Sequence, residues 1–361
     1  MKILHCLNSP RIGGLERLVV NLVIAQKKRG LNVAIMLDSR KGEYLNDLVD
    51  NGLYIIDSGV KGGFDFRFNI YKRLKKDFKN FDLIHFHSFS PVKLFAAQKF
   101  PHVYTIHGLS KGVRKENYIK YHSREALKKK LLNNVSCFIA NSQYTLNCSR
   151  NHYGLGNVYK VVVLNGSKIE IKNNLVRKEE CAPSFKIGMV SRFTRRKRID
   201  RLINSFEKFL NMNGKGILYL VGDGSEADNI RQMIKAKCLE KYITMPGYIT
   251  EVNSYYQEFD ICVHPSDNEG FGLVGVEAYS NGKPILAFED SGGLREVIEP
   301  FEPEDILKSE QAMAERMLFY YNNHKKIEQS ALERRRYAIE NFSLERMERD
   351  YFEVYNNILG L

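Results

Sequence analysis

Residues 260–277 read DICVHPSDNEGFGLVGVE, which combines a short apolar run, a Gly-rich turn and the start of a helix. The run 261–264 predicts a buried strand, since it is short, apolar and bounded by turn residues. Gly270 and Gly272 mark the turn, and the helical pattern that follows ends at Asn281-Gly282. A strand that passes through a tight turn into a helix is the repeating unit of a parallel α/β sheet.

The same alternation extends outward from this unit in both directions. In the second half, strands are predicted at FKIGMVSR, GILYLVGDG, ITMPGY, DICVHPS and PILAF. In the first half, they are predicted at KILHCLN, NVAIML, YIID, DLIHFH, HVYTIHG, VSCFIANS and VYKVVVLNG. The polar stretch 169–184 between the two series predicts a linker. We therefore expect an α/β protein with two doubly wound, Rossmann-like domains over residues 1–168 and 185–342.

The formal net charge of +13 is concentrated in the first half. Residues 1–170 contain 28 Lys and Arg against 12 Asp and Glu, a net of +16, and residues 171–361 contain 27 against 30, a net of −3. This excess favours an anionic partner, although a Lys-rich soluble surface gives the same count. Segment 111–132 has eight basic and two acidic residues among apolar ones, so it indicates either an anionic membrane surface or a solvated helix face.

The compartment follows from what the sequence lacks. No run approaches the roughly 18 apolar residues of a membrane span, and the N-terminus lacks the pattern of a cleaved signal peptide. The six cysteines form no Cys-x-x-Cys pair, which is typical of free thiols in a reducing compartment. We expect a cytoplasmic protein, peripheral on the inner face of the cytoplasmic membrane if its basic half binds lipid.

Two carboxylates flank the Gly-rich turn. Glu269 precedes the predicted helix and Glu277 lies inside it. The N-terminus of a helix suits a phosphate group because it presents unpaired N–H groups and a partial positive charge. Carboxylates beside it can accept hydrogen bonds from the hydroxyls of a sugar and a ribose. The alternative is an ordinary turn with one surface Glu and one buried Glu.

A cationic loop follows the strand FKIGMV, with five cations within residues 192–198. Its arginines offer planar forks for phosphate oxygens, and its lysine offers a mobile point charge. Two such groups on a diphosphate would stabilise the negative charge that develops on a leaving group. A solvated loop is the alternative for two or three of the five cations.

In the first half, the stretch RIGGLER (residues 11–17) follows the first strand and resembles a phosphate-approach turn. It is not Gly-x-Gly-x-x-Gly, and the downstream acidic ribose ligand of a dinucleotide site is not evident. His85, His87 and His107 close two predicted strands. Each can bond a sugar hydroxyl or transfer a proton, and a satisfied structural histidine is the alternative.

The sequence contains no Asp-x-Asp pair, no zinc-type ligand spacing, no Gly-x-Ser-x-Gly and no Walker loop. We therefore expect no metal. Arg, Lys and helix amides would have to neutralise a bound diphosphate instead.

Together and in this order, the motifs resemble the retaining family 4 glycosyltransferases of the GT-B fold, of the bacterial surface-polysaccharide and lipopolysaccharide type. The resemblance covers nearly the whole chain, through GGLER, HFHS, TIHG, ANS, VLNG, SRFTRRKRID, LVGDG, PSDNEGFGLVGVEAYSNGKPILAF and SGGLREVI. It implies two domains facing each other across a cleft, an acceptor-binding one first and a donor-binding one second. It also implies that a C-terminal helix, 343–361, returns to the first domain. The stripe Met347, Tyr351, Val354 and Ile358 would pack there.

The resemblance implies an activity as well. A sugar would pass from a UDP- or GDP-sugar to a glycan or lipid-linked glycan acceptor, with retention of anomeric configuration and without a metal. The pathway would be the synthesis of capsule, O-antigen or lipopolysaccharide. The nucleotide sugar is a substrate, and no further cofactor is expected.

The same resemblance assigns residues to the donor. Arg192 and Lys197 would grip its diphosphate, Glu269 would contact the transferred sugar and Glu277 the ribose. The rest of the donor site is formed by the backbone near Gly270, Phe271, Gly272 and Leu273, by Gly14 at the phosphate, and by His107 beside the reactive face of the sugar.

The sequence departs from the family pattern at Ser191 and Arg198, where glycines are usual, and in the shortened loop VIEPFEPEDI. The shortened loop leaves open which nucleotide base the donor carries. Other readings are a nucleotide-sugar 2-epimerase, a phosphorylase, an idle scaffold and a basic nucleic-acid-binding module. A phosphorylase would be far longer, and the nucleic-acid module lacks a helix-turn-helix or RNP pattern, so we expect no nucleic-acid partner.

Overall fold

The structure of the chain is a computed structural model that describes residues 1–62, 65, 67–108, 118–169 and 184–361. These residues form two compact units. The first is Met1–Lys168 with Leu344–Leu361, and the second is Ile169–Ser343. The predicted linker 169–184 lies outside the described residues except for its two ends, as do residues 111–117 of the predicted membrane segment.

The first unit is built on a seven-stranded sheet in the order β3-β2-β1-β4-β5-β6-β7, with every neighbouring pair parallel. Its strands are β1 (Lys2–Leu7), β2 (Asn32–Leu37), β3 (Tyr54–Asp57), β4 (Leu83–Phe86), β5 (His102–Ile106), β6 (Cys137–Ala140) and β7 (Tyr159–Val162). Its helices are α1 (Gly14–Lys28), α2 (Leu45–Asp50), α3 (Phe68–Phe78), α4 (Pro91–Ala97), α5 (Tyr118–Leu132) and α6 (Gln143–Tyr153).

The second unit is built on a six-stranded parallel sheet in the order β10-β9-β8-β11-β12-β13. Its strands are β8 (Phe185–Val190), β9 (Gly216–Val221), β10 (Ile243–Gly247), β11 (Ile261–His264), β12 (Ile285–Phe288) and β13 (Ile306–Leu307). Its helices are α7 (Ile199–Asn211), α8 (Ala227–Ala236), α9 (Asn253–Glu258), α10 (Leu273–Ser280), α11 (Arg295–Ile298), α12 (Glu310–Asn322), α13 (His324–Gln329) and α14 (Ala331–Phe342).

The two parallel sheets confirm the α/β expectation. Strands β4, β6, β11 and β12 are buried along their whole length, and they read as continuous apolar runs because helices cover both faces of a parallel sheet. In each sheet the strand order reverses at one place, between β1 and β4 and between β8 and β11. Ligands of doubly wound sheets bind beyond the carboxyl ends of strands at such a reversal.

The last helix, α15 (Leu344–Leu359), belongs to the first unit and packs on α1. Three members of its predicted apolar stripe are buried, Met347, Tyr351 and Val354. The guanidinium of Arg29 pairs with Glu348 at 2.7 Å and lies 4.1 Å from the ring centre of Phe352. The predicted return of the C-terminal helix is therefore confirmed. Of the helices in the described ranges, none combines the length and apolarity that crossing a membrane requires.

Candidate donor and histidine sites

In the second unit, β8 and β11 are neighbours, with Ile187 opposite Ile261. The cationic loop and the Glu269 loop therefore leave the sheet side by side. Arg196 joins them, because its Nη2 donates to the carbonyl oxygen of Asn268 at 3.0 Å. The N–H of Asp267 returns a hydrogen bond to the carbonyl oxygen of Arg196 at 3.3 Å. The two sequence motifs thus form one surface.

The centre of this surface is an ion pair between Lys197 and Glu269. Lys197 Nζ lies 2.6 Å from Glu269 Oε1, and the two side chains are 21% and 15% exposed. Nε2 of the buried His264 lies 3.3 Å from Lys197 Nζ and 3.4 Å from Glu269 Oε1. Ser266 Oγ lies 2.9 Å from the same nitrogen. Sequence reasoning missed His264 and Ser266, although a histidine that ends a buried strand just before this motif was a usable signal.

The charges of this cluster are set by its surroundings. Burial alone would raise the pKa of Glu269, but a hydrogen bond from His264 and the charge of Lys197 outweigh it and hold that pKa well below its usual range. Burial, together with the charge of Lys197, lowers the pKa of His264. At neutral pH the cluster therefore holds one cation, one anion and one neutral ring.

The backbone of the Glu269 loop is fixed by the segment 290–293. Glu269 N–H donates to the carbonyl oxygen of Ser291 at 3.1 Å, and Gly293 N–H donates to that of Glu269 at 2.8 Å. Gly272 caps α10 with φ of 87°, and a Cβ there would meet Leu294 Cδ1 at 2.8 Å, so glycine is required on both counts. Phe271 is buried against Phe342, with ring centres 5.8 Å apart. Its side chain therefore anchors the loop.

The remaining predicted donor residues of the second unit are Glu277, Arg192 and Leu273. The hydroxyl of Tyr256 donates to Glu277 Oε2 at 2.9 Å, a buried partner that the sequence did not reveal. Arg192 is exposed, and within the described parts of the chain no ion pair involves it. Leu273 is the first residue of α10.

In the first unit, Gly14 is the first residue of α1. Apart from its chain neighbours and the adjacent backbone of α1, a Cβ built on it would meet no heavy atom of the described residues within 4 Å. The structure therefore leaves room at this backbone position.

The first unit also contains a cluster of four histidines within or directly after three adjacent strands, β1, β4 and β5. His5 Nδ1 lies 2.8 Å from His87 Nε2, and His87 Nδ1 lies 3.2 Å from His107 Nε2. His107 is half-buried, and its carbonyl oxygen accepts a hydrogen bond from Asn141 at 3.1 Å. His85 lies inside β4, with its ring nitrogens 2.6 Å from the Tyr355 hydroxyl and 2.7 Å from the Thr105 hydroxyl. For His85 the structural alternative is the one observed.

These rings are neutral. Burial lowers the pKa of His5 and of His107 to about 4, and it holds the pKa values of His85 and His87 well below the usual range. Nitrogens of His5, His85 and His87 lie within 4.8 Å of one another, close enough to share a metal ion. All six ring nitrogens of these three residues already face a hydrogen-bond partner. We therefore treat the cluster as a hydrogen-bond network.

Two family models match consecutive parts of the chain. Glycosyltransferase Family 4 matches residues 12–170, and Glycosyl transferases group 1 matches residues 171–341. The chain belongs to the family 4, group 1 glycosyltransferases. The resemblance predicted from the motifs is confirmed, and this glycosyltransferase is an enzyme of the transferase class.

Similar proteins agree with this assignment. A poly(ribitol-phosphate) α-N-acetylglucosaminyltransferase of Staphylococcus aureus is 28% identical over 47% of the chain, which spans 35% of that relative. An α-monoglucosyldiacylglycerol synthase of Acholeplasma laidlawii is 26% identical over 78% of each chain. The crystal structure of Anabaena Alr3699/HepE in complex with UDP is 21% identical, with a TM-score of 0.80 over 99% of this chain and all of that one. This last likeness supports the GT-B fold of the glycosyltransferase.

The histidine cluster predicts an acid-sensitive first unit. A histidine whose pKa falls from 6.5 to about 4 on folding binds fewer protons folded than unfolded, so stability drops as pH falls through that window. Protonation linked to His5 alone should lower the free energy of unfolding by about 2 kcal/mol between about pH 7 and about pH 5. We expect hydrogen exchange, corrected for its intrinsic pH dependence, to show this loss in β1, β4 and β5.

The second unit is the internal control for this measurement. Among the described residues of this unit, His264 is the one histidine whose pKa is lowered, whereas the first unit has several. Strand β9 should therefore lose less protection from hydrogen exchange over the same pH interval. Equal protection of β1 at both pH values would contradict the neutral-histidine description.

Proposed function

We propose that this glycosyltransferase transfers a sugar from a UDP- or GDP-sugar to a glycan or lipid-linked glycan acceptor, without a metal and with retention of anomeric configuration. The observation that carries the proposal is the Lys197–Glu269 pair beyond the strand reversal of the second sheet. An ammonium and a carboxylate there are the two groups that a diphosphate and a sugar need from the protein. The UDP complex of the similar Anabaena protein supports the choice of donor.

Donor binding would exchange one set of partners for another. Lys197 would leave Glu269 for the diphosphate, and the exposed Arg192 would add a second cation. Glu269 would then accept hydrogen bonds from hydroxyls of the transferred sugar. Glu277, oriented by Tyr256 at 2.9 Å, would hold the ribose. Backbone amides of residues 270–273 at the start of α10 would complete the phosphate contacts.

In the first unit, we assign Gly14 to close approach of the backbone to the phosphate, because the space beside its Cα is open. We assign His107 to the reactive face of the sugar, since it is the most accessible ring of the histidine cluster. A neutral ring there would hydrogen-bond a hydroxyl without adding charge. The leaving phosphate would help to deprotonate the acceptor hydroxyl, through an oxocarbenium-like transition state.

The acceptor side is proposed to lie against an anionic membrane and to serve capsule, O-antigen or lipopolysaccharide synthesis. Two exposed rings of the first unit, Phe68 and Phe95, flank Tyr71, with ring centres 6.5 Å and 5.6 Å from it. Lys72 and Lys75 lie over this aromatic ridge. Apolar rings under cations are the combination that binds anionic bilayers. The lipid-synthase name of the Acholeplasma relative agrees with such an acceptor.

The donor assignment is tested by thermal unfolding with a panel of UDP- and GDP-sugars, with and without EDTA. At a hundred times Kd, a ligand that binds the folded state adds about 2.7 kcal/mol. We expect one nucleotide class to raise Tm equally in both conditions. Stabilisation that EDTA abolishes would contradict metal independence. Release of an epimerised free nucleotide sugar without an acceptor would instead favour an epimerase.

The ion pair predicts the catalytic phenotype. We expect Lys197→Ala and Glu269→Ala each to lower turnover at least about a hundredfold, because each removes a contact to charge or hydroxyls in the transition state. Lys235→Ala, which removes a lysine from the last turn of α8 in the same unit, is the matched control and should keep wild-type rates. Wild-type turnover in either site variant would overturn the assignment.

The aromatic ridge predicts lipid binding. We expect the protein to co-sediment with phosphatidylglycerol-containing vesicles and much less with phosphatidylcholine alone. The double variant Phe68→Ser/Phe95→Ser should bind at least about tenfold more weakly, since burying one such ring contributes roughly 1.5–3 kcal/mol. Tyr159→Ser, an exposed aromatic on β7 at the far edge of the same sheet, is the control.

The same assay separates lipid from other anions. Suppose that a soluble polyphosphate binds as tightly as vesicles do, and that Phe68→Ser/Phe95→Ser binds it as the wild type does. In that case the basic first half of the chain recognises an anionic polymer, and the membrane proposal fails. Equal binding to both vesicle types would also contradict it.

A further inference from the structure

The buried histidines form a directed chain that starts at Gln26. Gln26, fully buried near the end of α1, places its Oε1 2.8 Å from His5 Nε2. His5 continues to His87 at 2.8 Å, and His87 continues to His107 at 3.2 Å. Three hydrogen bonds thus connect one buried amide to the half-buried ring of His107.

The ring geometry suits hydrogen bonds in the ring plane. The planes of His5 and His87 differ by 9° and their centroids lie 5.2 Å apart, so the rings meet edge to edge. His87 and His107 are arranged similarly, at 33° and 5.5 Å. His85 is arranged differently. Its ring centroid lies 3.8 Å from that of His87, which is too close for an edge-to-edge contact. It packs on the chain and is not a link in it.

Each neutral imidazole has one N–H and one bare nitrogen. In the structure the carbonyl oxygen Oε1 of Gln26 faces His5, and an amide oxygen can only accept. In this orientation of the amide, His5 Nε2 carries the proton and His5 Nδ1 is bare. His87 Nε2 must then donate to His5, which leaves His87 Nδ1 bare. His107 Nε2 must donate to His87 in turn, which leaves His107 Nδ1 bare. With Oε1 facing His5, one amide therefore sets the tautomers of three rings.

We propose that Gln26 is a positioning residue that fixes His107 in the tautomer with its proton on Nε2, so that Nδ1 accepts a hydrogen bond from a hydroxyl of the transferred sugar. The inference rests on the role assigned to His107 under Proposed function. A bare nitrogen demands a donor from the substrate, so the sugar must carry an O–H at the position that faces His107. Reversing the chain would place an N–H there instead.

The test is the tautomer of His107 in protein labelled with 15N-histidine. Long-range proton–nitrogen correlation spectra distinguish a protonated from a bare ring nitrogen, and the His107 signals are assigned by their loss in His107→Gln. We expect the wild type to show the Nε2–H form. Gln26→Met, close in shape but without an acceptor, should show the Nδ1–H form in a large fraction of molecules. The value of kcat/KM for the donor should fall roughly three- to tenfold, as for one neutral hydrogen bond.

The matched control is Thr105→Val, which removes a hydrogen-bond partner of the buried His85, outside the chain. It should leave the tautomer of His107 unchanged, whatever its effect on Tm. An unchanged tautomer in folded Gln26→Met would overturn the proposal. An Nδ1–H form in the wild type would also overturn it, and this measurement does not depend on any variant folding.

The two proposals fail in different ways. The spectra are recorded without a nucleotide sugar, so they test the histidine chain even if His107 has no part in sugar transfer. A shifted tautomer with unchanged kcat/KM would retain the chain and remove His107 from the reaction. An unchanged tautomer in Gln26→Met, together with an inactive His107→Gln, would retain His107 in the reaction and remove the positioning role of Gln26.

Discussion

Both sheets are parallel and covered by helices on both faces, so polar side chains that serve a ligand are confined to the loops at the strand ends. Lys197, Glu269, His87 and His107 obey this constraint. The fully buried His5 and His85 lie within β1 and β4. In the second unit, the loops after the adjacent strands β8 and β11 bring Lys197 to Glu269. In the first, the neighbours β1, β4 and β5 bring the four histidines together. The strand order therefore determines which distant motifs meet, and the loops need only supply the chemistry.

Electrostatics explains why Lys197 and Glu269 pair with each other. A largely buried carboxylate or ammonium is costly unless it is paired and hydrogen-bonded. Lys197 and Glu269 meet that need mutually, at 2.6 Å. Under the proposed function, a donor molecule would satisfy both, since its diphosphate is an anion for Lys197 and its sugar hydroxyls are donors for Glu269. The exchange leaves no buried charge unpaired at either stage, which suits a site that must bind and release.

The sequence predicted most strands, because buried parallel strands are continuous apolar runs, and it marked the cationic loop and the Glu269 loop as local patterns. It missed β13, whose two residues are too few to form a pattern, and it missed the partners that tertiary structure supplies. Tyr256 contacts Glu277 across 21 positions, and Tyr355 contacts His85 across 270. The local periodicity of a sequence gives no information about pairs so far apart in the chain. His85 looked like a candidate site residue for this reason, although its ring is held inside β4.

Helix α1 connects these observations. Its first residue, Gly14, leaves backbone room for a phosphate, and Gln26, twelve residues and about 18 Å further along, sets the start of the histidine chain. Helix α15 packs on α1 through Glu348 and Phe352, which hold Arg29. A shift of α1 along its axis would therefore change the proposed phosphate approach and the hydrogen bond to His5 together. The return of the C-terminal helix to the first unit is thus a positional constraint on the proposed reaction as well as a packing solution for an apolar stripe.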